Sequence, residues 1–593
     1  MDTSSISGKS FAFKNSISGD GMDQKRKPAN LIYGLDDPVP LPIRLLLGLQ
    51  HSFHVTTALI FAIIVLQGMG ASARQAGFFI SMSLLAGGIA VILQALNRKG
   101  VGSGYFAPSV CEPAYISASV MAAKIGGLPL VLGMTALSGV FEMILSRVVH
   151  RLRRIFTPEV MGLVVTMVGI SVIPVATKNF LGIAGGEGAA INPNVLVVSL
   201  ITLGTMVAIT VWSKGKLRLF SVIIGMVTGY IVSYLTGLLP EAHFKQILDK
   251  PLLAAPDWSM LGWSFDASLI IPFLIASLCT SVKTIGNLTT CQKINDAEWK
   301  RPDMPSLKKG LLADGMSVSL SGVLGGMGQS TASSNIGLSL GTGATSRSIA
   351  FTTGGILILL AFLPRFAEVF VVMPQPVMGA TPLFAVCFII FTGLQIMMSR
   401  MMDARKIFIL GISMIFGLSV TALLDVYSRI GISWLRPIFG SSLYLSTLLA
   451  IGLTILFQIG LKKKTVSTLE LDKTRYEELA DLMEKQGGLW GARPAVITQA
   501  THALNELLEL MAALELTQKP VRLEMMFDEF NLDLTLQYEG KPLALTGDYV
   551  EPLSVDADVS IAQLSLRLIR KDADAITVSE KDGRSRIVLH FEH

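Results

Sequence analysis

Lys283 stands in the middle of a long apolar stretch, IIPFLIASLCTSVKTIGNLTTC, where an ammonium group costs about 2.5–3.5 kcal/mol on membrane-insertion scales. A charge at such a place faces a cavity or a partner. Two readings compete. In one, Lys283 pairs permanently with Glu112, which lies in the small, polar run GSGYFAPSVCEPAYI (102–116), and neither touches a ligand. In the other, Lys283 faces a binding site, as counter-charge to an anionic ligand or as a fixed substitute for a coupling cation. A second polar run, GGMGQSTASSNIGLSLGTG (325–343), holds Ser334, Asn335, Gly337 and Thr342. Around these runs, Tyr115 offers either a ring for a planar ligand or a core aromatic. Gln50 and His51 either orient the site, or His51, with His54, is simply a satisfied core histidine. Glu142 and Glu368 read as interfacial or structural.

The elements that must position these residues recur along the chain. Apolar stretches long enough to cross ~30 Å of hydrocarbon read 43–66, 74–96, 103–124, 128–148, 158–177, 192–212, 217–239, 268–292, 308–326, 328–343, 348–373, 376–398, 404–424 and 441–461. Fourteen spans place every Lys/Arg cluster (Lys25–Lys27, Arg98–Lys99, Arg147–Arg154, Lys214–Arg218, Lys293–Lys309, Arg400–Lys406, Lys462–Lys464) on one side. That side is cytoplasmic by the positive-inside rule, together with both termini. The two polar runs interrupt the pattern. Non-helical backbone at membrane depth survives only when buried in protein or lining a cavity. With repeats of about 41–240 and 266–461, Glu112 and Asn335 each fall about 70 residues in. Paired breaks at matching positions point to a binding site near the bilayer midplane. The alternative, Gly-rich helix packing of the small-xxx-small kind, does not call for Glu, Ser and Asn there.

Composition excludes much else. Of 593 residues 51% are hydrophobic and 16% charged, against about 25% charged in soluble domains, which excludes an ordinary cytosolic enzyme. Residues 1–464 hold 36 Lys+Arg against 20 Asp+Glu, and 465–593 hold 13 against 23, so the net +6 averages two dissimilar pieces and does not indicate nucleic acid. Cys111, Cys279, Cys291 and Cys387 lie in apolar segments without CxxC spacing, which supports neither a disulfide framework nor a metal site. Gly8-Lys9-Ser10 lacks the first glycine of a phosphate loop, and no hydrolase motif occurs. No cofactor is implied. Residues 1–30 lack the apolar core of a signal peptide and read as a disordered cytoplasmic tail.

Over residues 31–461 the chain resembles the nucleobase-ascorbate transporter family, the xanthine/uracil permeases. YGLDDPVPLPIRLLLGLQH is similar to the family's entry to its first helix, ending in Gln50-His51. The family signature Gln/Glu/Pro-Asn-x-Gly-x4-Thr-Arg/Lys/Gly appears as Ser334, Asn335, Gly337, Thr342 and Gly343, four of five specified positions. The resemblance implies a polytopic all-α membrane protein of two inverted seven-span repeats with two interrupted helices. It also implies a homodimer in the bacterial inner membrane that moves purines, pyrimidines or related compounds by an elevator motion, coupled to H+ or Na+. The departures fall where the family reads its substrate. Ser334 replaces Gln or Glu, and the family's Glu-x-x-Gly-Asp-like pattern is Lys283-Thr-Ile-Gly286-Asn287. A carboxylate acceptor has become a cation that only donates, and the position associated with coupling is the neutral Asn287. The alternatives are a transporter of a small organic or inorganic anion, or a transporter-like sensor that signals through its C-terminus.

After Lys464 the periodicity becomes that of a small α/β domain, 465–593. Residues 474–486, 495–513 and 560–570 read as helices; 521–527, 531–538 and a final hairpin turning at Lys581-Asp582-Gly583-Arg584 read as strands. The segment weakly resembles the ATPase domain of histidine kinases and anti-sigma factors. The resemblance requires an Asn four residues after Glu506 to hold magnesium; that residue is Leu510. A degenerate, ATP-free domain for regulation, for a cytoplasmic protein partner or for dimer contact is expected, an unrelated α/β domain being the alternative.

Overall fold

The computed structural model describes residues 11–13, 26–29, 31–97, 100–152, 157–183, 191–213, 215–299, 302–398, 402–429, 436–457, 463–470, 476–528, 531–543, 557–581 and 584–592. They divide into two compact units, Asp23–Ser399 with Phe408–Gly452, and Leu453–His593 with Met1–Met22 and Arg400–Ile407.

After strand β1 (Phe11–Phe13), the first unit runs α1 (Leu41–Thr56), α2 (Leu59–Met69), α3 (Ala73–Ala95), β2 (Ser109–Cys111), α4 (Ile116–Leu152), α5 (Pro158–Phe180), α6 (Pro193–Trp212), α7 (Ser221–Leu235), α8 (Glu241–Asp249), α9 (Ile270–Asn295) and α10 (Met304–Leu324). It continues through β3 (Gln329–Thr331), α11 (Ser333–Thr342), α12 (Arg347–Ala361), α13 (Pro364–Val371), α14 (Gln375–Met397), α15 (Ala404–Ala422), α16 (Leu424–Ser428), α17 (Arg436–Phe439) and α18 (Ser442–Phe457). Local chemistry sets many of the ends. Ser72 and Gln75 close a capping box on α3, and Thr157 and Asp303 cap α5 and α10. Within α4 the helix breaks at Gly126–Gly127, where Gly127 takes φ +66°, a backbone that side-chain-bearing residues avoid.

Among the described residues, eight helices are long and apolar enough to cross a membrane, or nine if α12 and α13, bent by 79°, form one span. The sequence reading of fourteen exceeds this for identifiable reasons. The bent α4 holds two of the expected spans, α7 and α18 are apolar but short, α10 carries Lys308, Lys309 and Asp314, and the stretches 103–124 and 328–343 are strand followed by helix. On α6, Val197, Leu200, Ile201, Val207 and Val211 are exposed, an apolar surface that a bilayer covers. The chain is an integral membrane protein.

Glycines let three helix pairs approach backbone to backbone. A Cβ on Gly139 of α4 would lie 2.2 Å from the Ser319 nitrogen of α10, and one on Gly162 of α5 would lie 2.3 Å from the Met397 nitrogen of α14. Gly88 of α3 faces Gly354 of α12 in the same way, at 2.7 Å. Residues 26–29 and 31–37 form a strap. Ile32 and Tyr33 donate backbone bonds to the Gly343 carbonyl, and Arg347 donates to Leu35. The side chain of Lys27 and the backbone N–H of Gly34 bond the Asp37 carboxylate and hold its pKa below the usual value.

The second unit continues with β4 (Lys463–Leu469), α19 (Tyr476–Trp490), α20 (Pro494–Ala513), β5 (Val521–Phe527), β6 (Asn531–Glu539), α21 (Ala557–Asp572), β7 (Ala575–Lys581) and β8 (Arg584–Glu592). Its sheet has the order β1-β7-β8-β6-β5-β4 with every pairing antiparallel. Alternate residues of β5 and β6 turn inward (Leu523, Met525, Leu534, Leu536) to meet Leu504, Leu507 and Met511 of α20. Two expectations need correction. The sheet starts at Lys463, ahead of the 465 boundary, because Lys463 and Lys464 pair with Phe527 and Met526. Within the expected disordered tail, Phe11–Phe13 forms strand β1 on β7; residues 1–10 and 14–25 of that tail lie outside the described residues. The hairpin falls where the sequence placed it, with Lys581 opposite Arg584, and Asp582 and Gly583 lie outside the described residues.

Leu510 is buried in the core of this unit, 3% exposed, so no amide at that position can reach a nucleotide. Residues 463–593 expressed alone are expected to show no heat of binding with Mg-ATP in isothermal titration; micromolar binding would overturn the reading of Glu506 and Leu510.

Candidate functional site

The two polar runs come together. β2 and β3 pair antiparallel over Ser109↔Thr331, Val110↔Ser330 and Cys111↔Gln329. Glu112 donates its backbone N–H to Gly328 at 2.9 Å, and Ala332 donates to Pro108 at 2.8 Å. The extended backbone of each break is thereby satisfied by the other, as burial requires. Each strand leads into a helical start, a 3-10 turn at Pro113–Tyr115 that runs on into α4, and α11 at Ser333. Two sets of unpaired N-terminal N–H groups therefore flank the crossing.

Around it, α1 brings His51, the first break Phe106 and Glu112, α9 Lys283 and Asn287, and α11 Ser334 and Asn335. Lys283 is ion-paired with Glu112; the lysine side chain is 20% exposed and the glutamate 1%. His51, fully buried, contacts the Asn335 Oδ1 through Nδ1 at 2.9 Å and meets the Phe106 ring edge-on at 4.6 Å between centroids. With the proton on Nδ1, His51 donates and its Nε2 is an acceptor. That Nε2 and the Asn335 Nδ2 are both buried without a partner among the described residues, leaving one acceptor and one donor uncommitted. Asn287 donates to the Thr331 carbonyl at 2.9 Å and accepts from the Ser333 hydroxyl at 2.7 Å, which fastens α9 to the start of α11. Ser334 is exposed.

Other expected site residues fall elsewhere. Tyr115 is fully buried against Phe273 and the Gly328 backbone, with the Ser138 hydroxyl donating to its own at 3.3 Å. It supports the crossing from behind and offers no open stacking face. Gln50 is half-buried beside His51 and makes none of its contacts. Gly337 is exposed with open space beside it. Thr342 bonds back to the Leu338 carbonyl at 3.0 Å, and Gly343 follows at φ +64°. These last signature positions therefore end the half-helix, and the N-terminal strap is anchored there. Glu368, read as interfacial or structural, is held by Gln246 and Lys250. Glu142 is not interfacial: it is fully buried and accepts from Ser281 at 2.9 Å.

The sequence reading missed Phe106, Ser281, Thr284 and Asp314. Thr284 donates to Asp314 at 2.6 Å and contacts Ser330 and Thr331 of β3 at 3.1 and 3.0 Å. A lone acid inside the span 308–326 was the available signal, since an intramembrane carboxylate is functional by default. Among the described residues no cluster of three or more His, Cys, Asp or Glu side chains suits a metal ion.

Residues 43–426 match the xanthine/uracil permease model, described as Permease family. The xanthine permease XanP of Escherichia coli (strain K12) is 30% identical over 446 residues, covering 72% of this chain and 95% of that one. The uric acid permease PucK of Bacillus subtilis (strain 168) is 25% identical over 417 residues, covering 70% and 95%. Among solved structures, the transmembrane domain of a cyanobacterium bicarbonate transporter BicA aligns with a TM-score of 0.43 at 14% identity, covering 70% of this chain and 96% of that one. With a family model spanning most of the chain and full-length relatives at this identity, the protein belongs to the xanthine/uracil permease family and is a membrane permease, not an enzyme.

Proposed function

We propose that the protein is a secondary active transporter of an oxopurine of the xanthine or urate type, bound between the two half-helix starts. The observation that carries this is the mixed set of groups at the crossing: the Lys283 ammonium, the Glu112 carboxylate, and the uncommitted His51 Nε2 and Asn335 Nδ2. A ring that alternates carbonyl oxygens with N–H groups offers a complement to each. The carboxylate that Lys283 displaced on α9 has a counterpart in Glu112, so the site keeps an acceptor, supplied from the first break. Because the pair is net neutral, it suits a neutral or singly charged oxopurine better than a small inorganic anion. The names of the relatives, xanthine and uric acid permeases, favour the same class.

The reading extends to fourteen crossings with both termini cytoplasmic, an elevator motion, a homodimer in the bacterial inner membrane and coupling to H+ or Na+. For the topology, reporter fusions at Asn15 and after Lys464 are expected to signal cytoplasm; an external signal from either would break the repeat assignment. For the substrate, cells expressing the protein are expected to take up radiolabelled xanthine or urate, and purified protein to show a rise in melting temperature with the same compounds. Ser334→Ala is expected to weaken uptake by about 2- to 12-fold, corresponding to one neutral hydrogen bond of about 0.5–1.5 kcal/mol. Absence of both uptake and thermal shift with either purine would remove the substrate class, and the sensor reading would then gain.

A further inference from the structure

A second polar cluster lies beside the crossing. Glu142 of α4 and Asp314 of α10 are 0% and 2% exposed, and both are held from one face of α9, Glu142 by Ser281 and Asp314 by Thr284 three residues on. One oxygen of each is engaged elsewhere. Ser281 donates to Glu142 Oε1 at 2.9 Å, and Thr284 and Ser330 donate to Asp314 Oδ2 at 2.6 and 3.3 Å. The remaining oxygens, Glu142 Oε2 and Asp314 Oδ1, are buried without a hydrogen-bond partner among the described residues. Close approach of the backbones at Gly139 and Gly315 brings the segments that carry the two acids together.

We propose that Glu142 and Asp314 share one exchangeable proton and form the ion-coupling site of the transporter. Two neighbouring ionised carboxylates, away from water, repel each other and lose hydration. A proton between the two uncommitted oxygens removes one charge and gives each a partner. The other titratable groups facing the pair are Glu112 and Tyr115 from the first break and Lys283 from α9. Lys283 already neutralises Glu112. Of the other helices against α4 and α10, α2 carries no charge, and α3 carries Arg74, which is paired with Asp257. Among the described residues the pair therefore has no cation of its own, and a proton is the ion its geometry accepts.

Thr284 connects this proton to the substrate site. Its hydroxyl donates to Asp314 and contacts the Thr331 hydroxyl, which accepts from Asn287, which in turn accepts from Ser333 at the start of α11. Asn287, the position that the family resemblance associates with coupling, is neutral and fully engaged in that chain, so coupling passes through it to the acid pair.

The inference rests on the transporter reading, and two measurements keep the two separable. Infrared spectroscopy of the purified full-length protein in lipid, without substrate, is expected to show a protonated carboxylic-acid carbonyl band at neutral pH. Both Asp314→Asn and Glu142→Gln are expected to lose it. In proteoliposomes with an inward acid gradient and radiolabelled xanthine, the unmodified protein is expected to accumulate xanthine above equilibrium. Asp314→Asn and the near-isosteric Glu142→Gln are expected to retain xanthine exchange and to lose that accumulation. Uphill uptake in both variants, or a neutral-pH spectrum without a band that depends on these residues, would overturn the proposal. Should the unmodified protein not move xanthine, the substrate reading fails and the infrared arm alone decides the pair.

Discussion

Replacing Lys283 by Gln is expected to abolish transport and to destabilise the protein by about 3–5 kcal/mol, the usual cost of leaving one member of a buried ion pair uncompensated. The stranded group would be the Glu112 carboxylate, only 1% exposed. Because instability by itself stops transport, the informative variant is the double replacement Glu112→Gln with Lys283→Gln. Two amides of matching size can hydrogen-bond to each other, so the double variant is expected to recover most of the lost melting temperature. Its transport is expected to stay absent, since a charged donor and a charged acceptor for the substrate have both gone. A double variant that folds and moves xanthine at the normal rate would show that the pair is scaffold, and that substrate recognition rests on His51 and Asn335.

The second large effect is expected at a residue with no chemistry. Gly139→Val adds a Cβ 2.2 Å from a backbone nitrogen of α10 and 2.6 Å from the Gly315 carbonyl. Neither atom can rotate away, so the helices must separate. Overpacking a core costs about 1–3 kcal/mol when side chains can adjust, and here the loss is expected at or above the top of that range, seen as reduced yield of folded protein and a lowered melting temperature. Gly204→Ala serves as the control, because nothing lies within 4 Å of its Cβ position. A normal melting temperature for Gly139→Val would mean that α4 and α10 are not in backbone contact. It would also separate Glu142 from Asp314.

What could be read from the sequence follows a simple physical division. Features written in composition over ten or more residues were legible. The apolar stretches, the two small polar breaks at 102–116 and 325–343 and the alternating strands of the C-terminal unit all coincide with elements of the structure. Lys283 and Glu112 were legible as a pair because two opposite charges in apolar surroundings have few other options. Contacts made across great separations were not legible. His51 and Asn335 lie 284 positions apart, and nothing in either neighbourhood names the other. Glu142 was read as interfacial or structural because it stands near the end of its apolar run, and of these the buried, structural reading is the one its surroundings fit. Asp314 was passed over because Lys308 and Lys309 on the same helix made the segment look like a span with charged ends. Tyr115 was open to two readings, a stacking ring or a core aromatic, and it lies in the core with its ring packed on the bare backbone of Gly328.

The pairing of β2 with β3 has a consequence for how such a site can diverge. The tie between the two breaks consists of main-chain bonds, with Ser109, Val110 and Cys111 set against Thr331, Ser330 and Gln329. The tie itself needs only main-chain N–H groups, so proline is the replacement it does not tolerate, while Ser330, Thr331 and Gln329 are held in addition by side-chain bonds to α9 and α3. The architecture is consequently indifferent to the charges mounted around it. An acid can leave one helix and reappear on the neighbouring break, with a lysine in its former place, without disturbing the frame that aims both half-helices at the same point. Selectivity can thus be altered by exchanging charges while the main-chain frame stays the same.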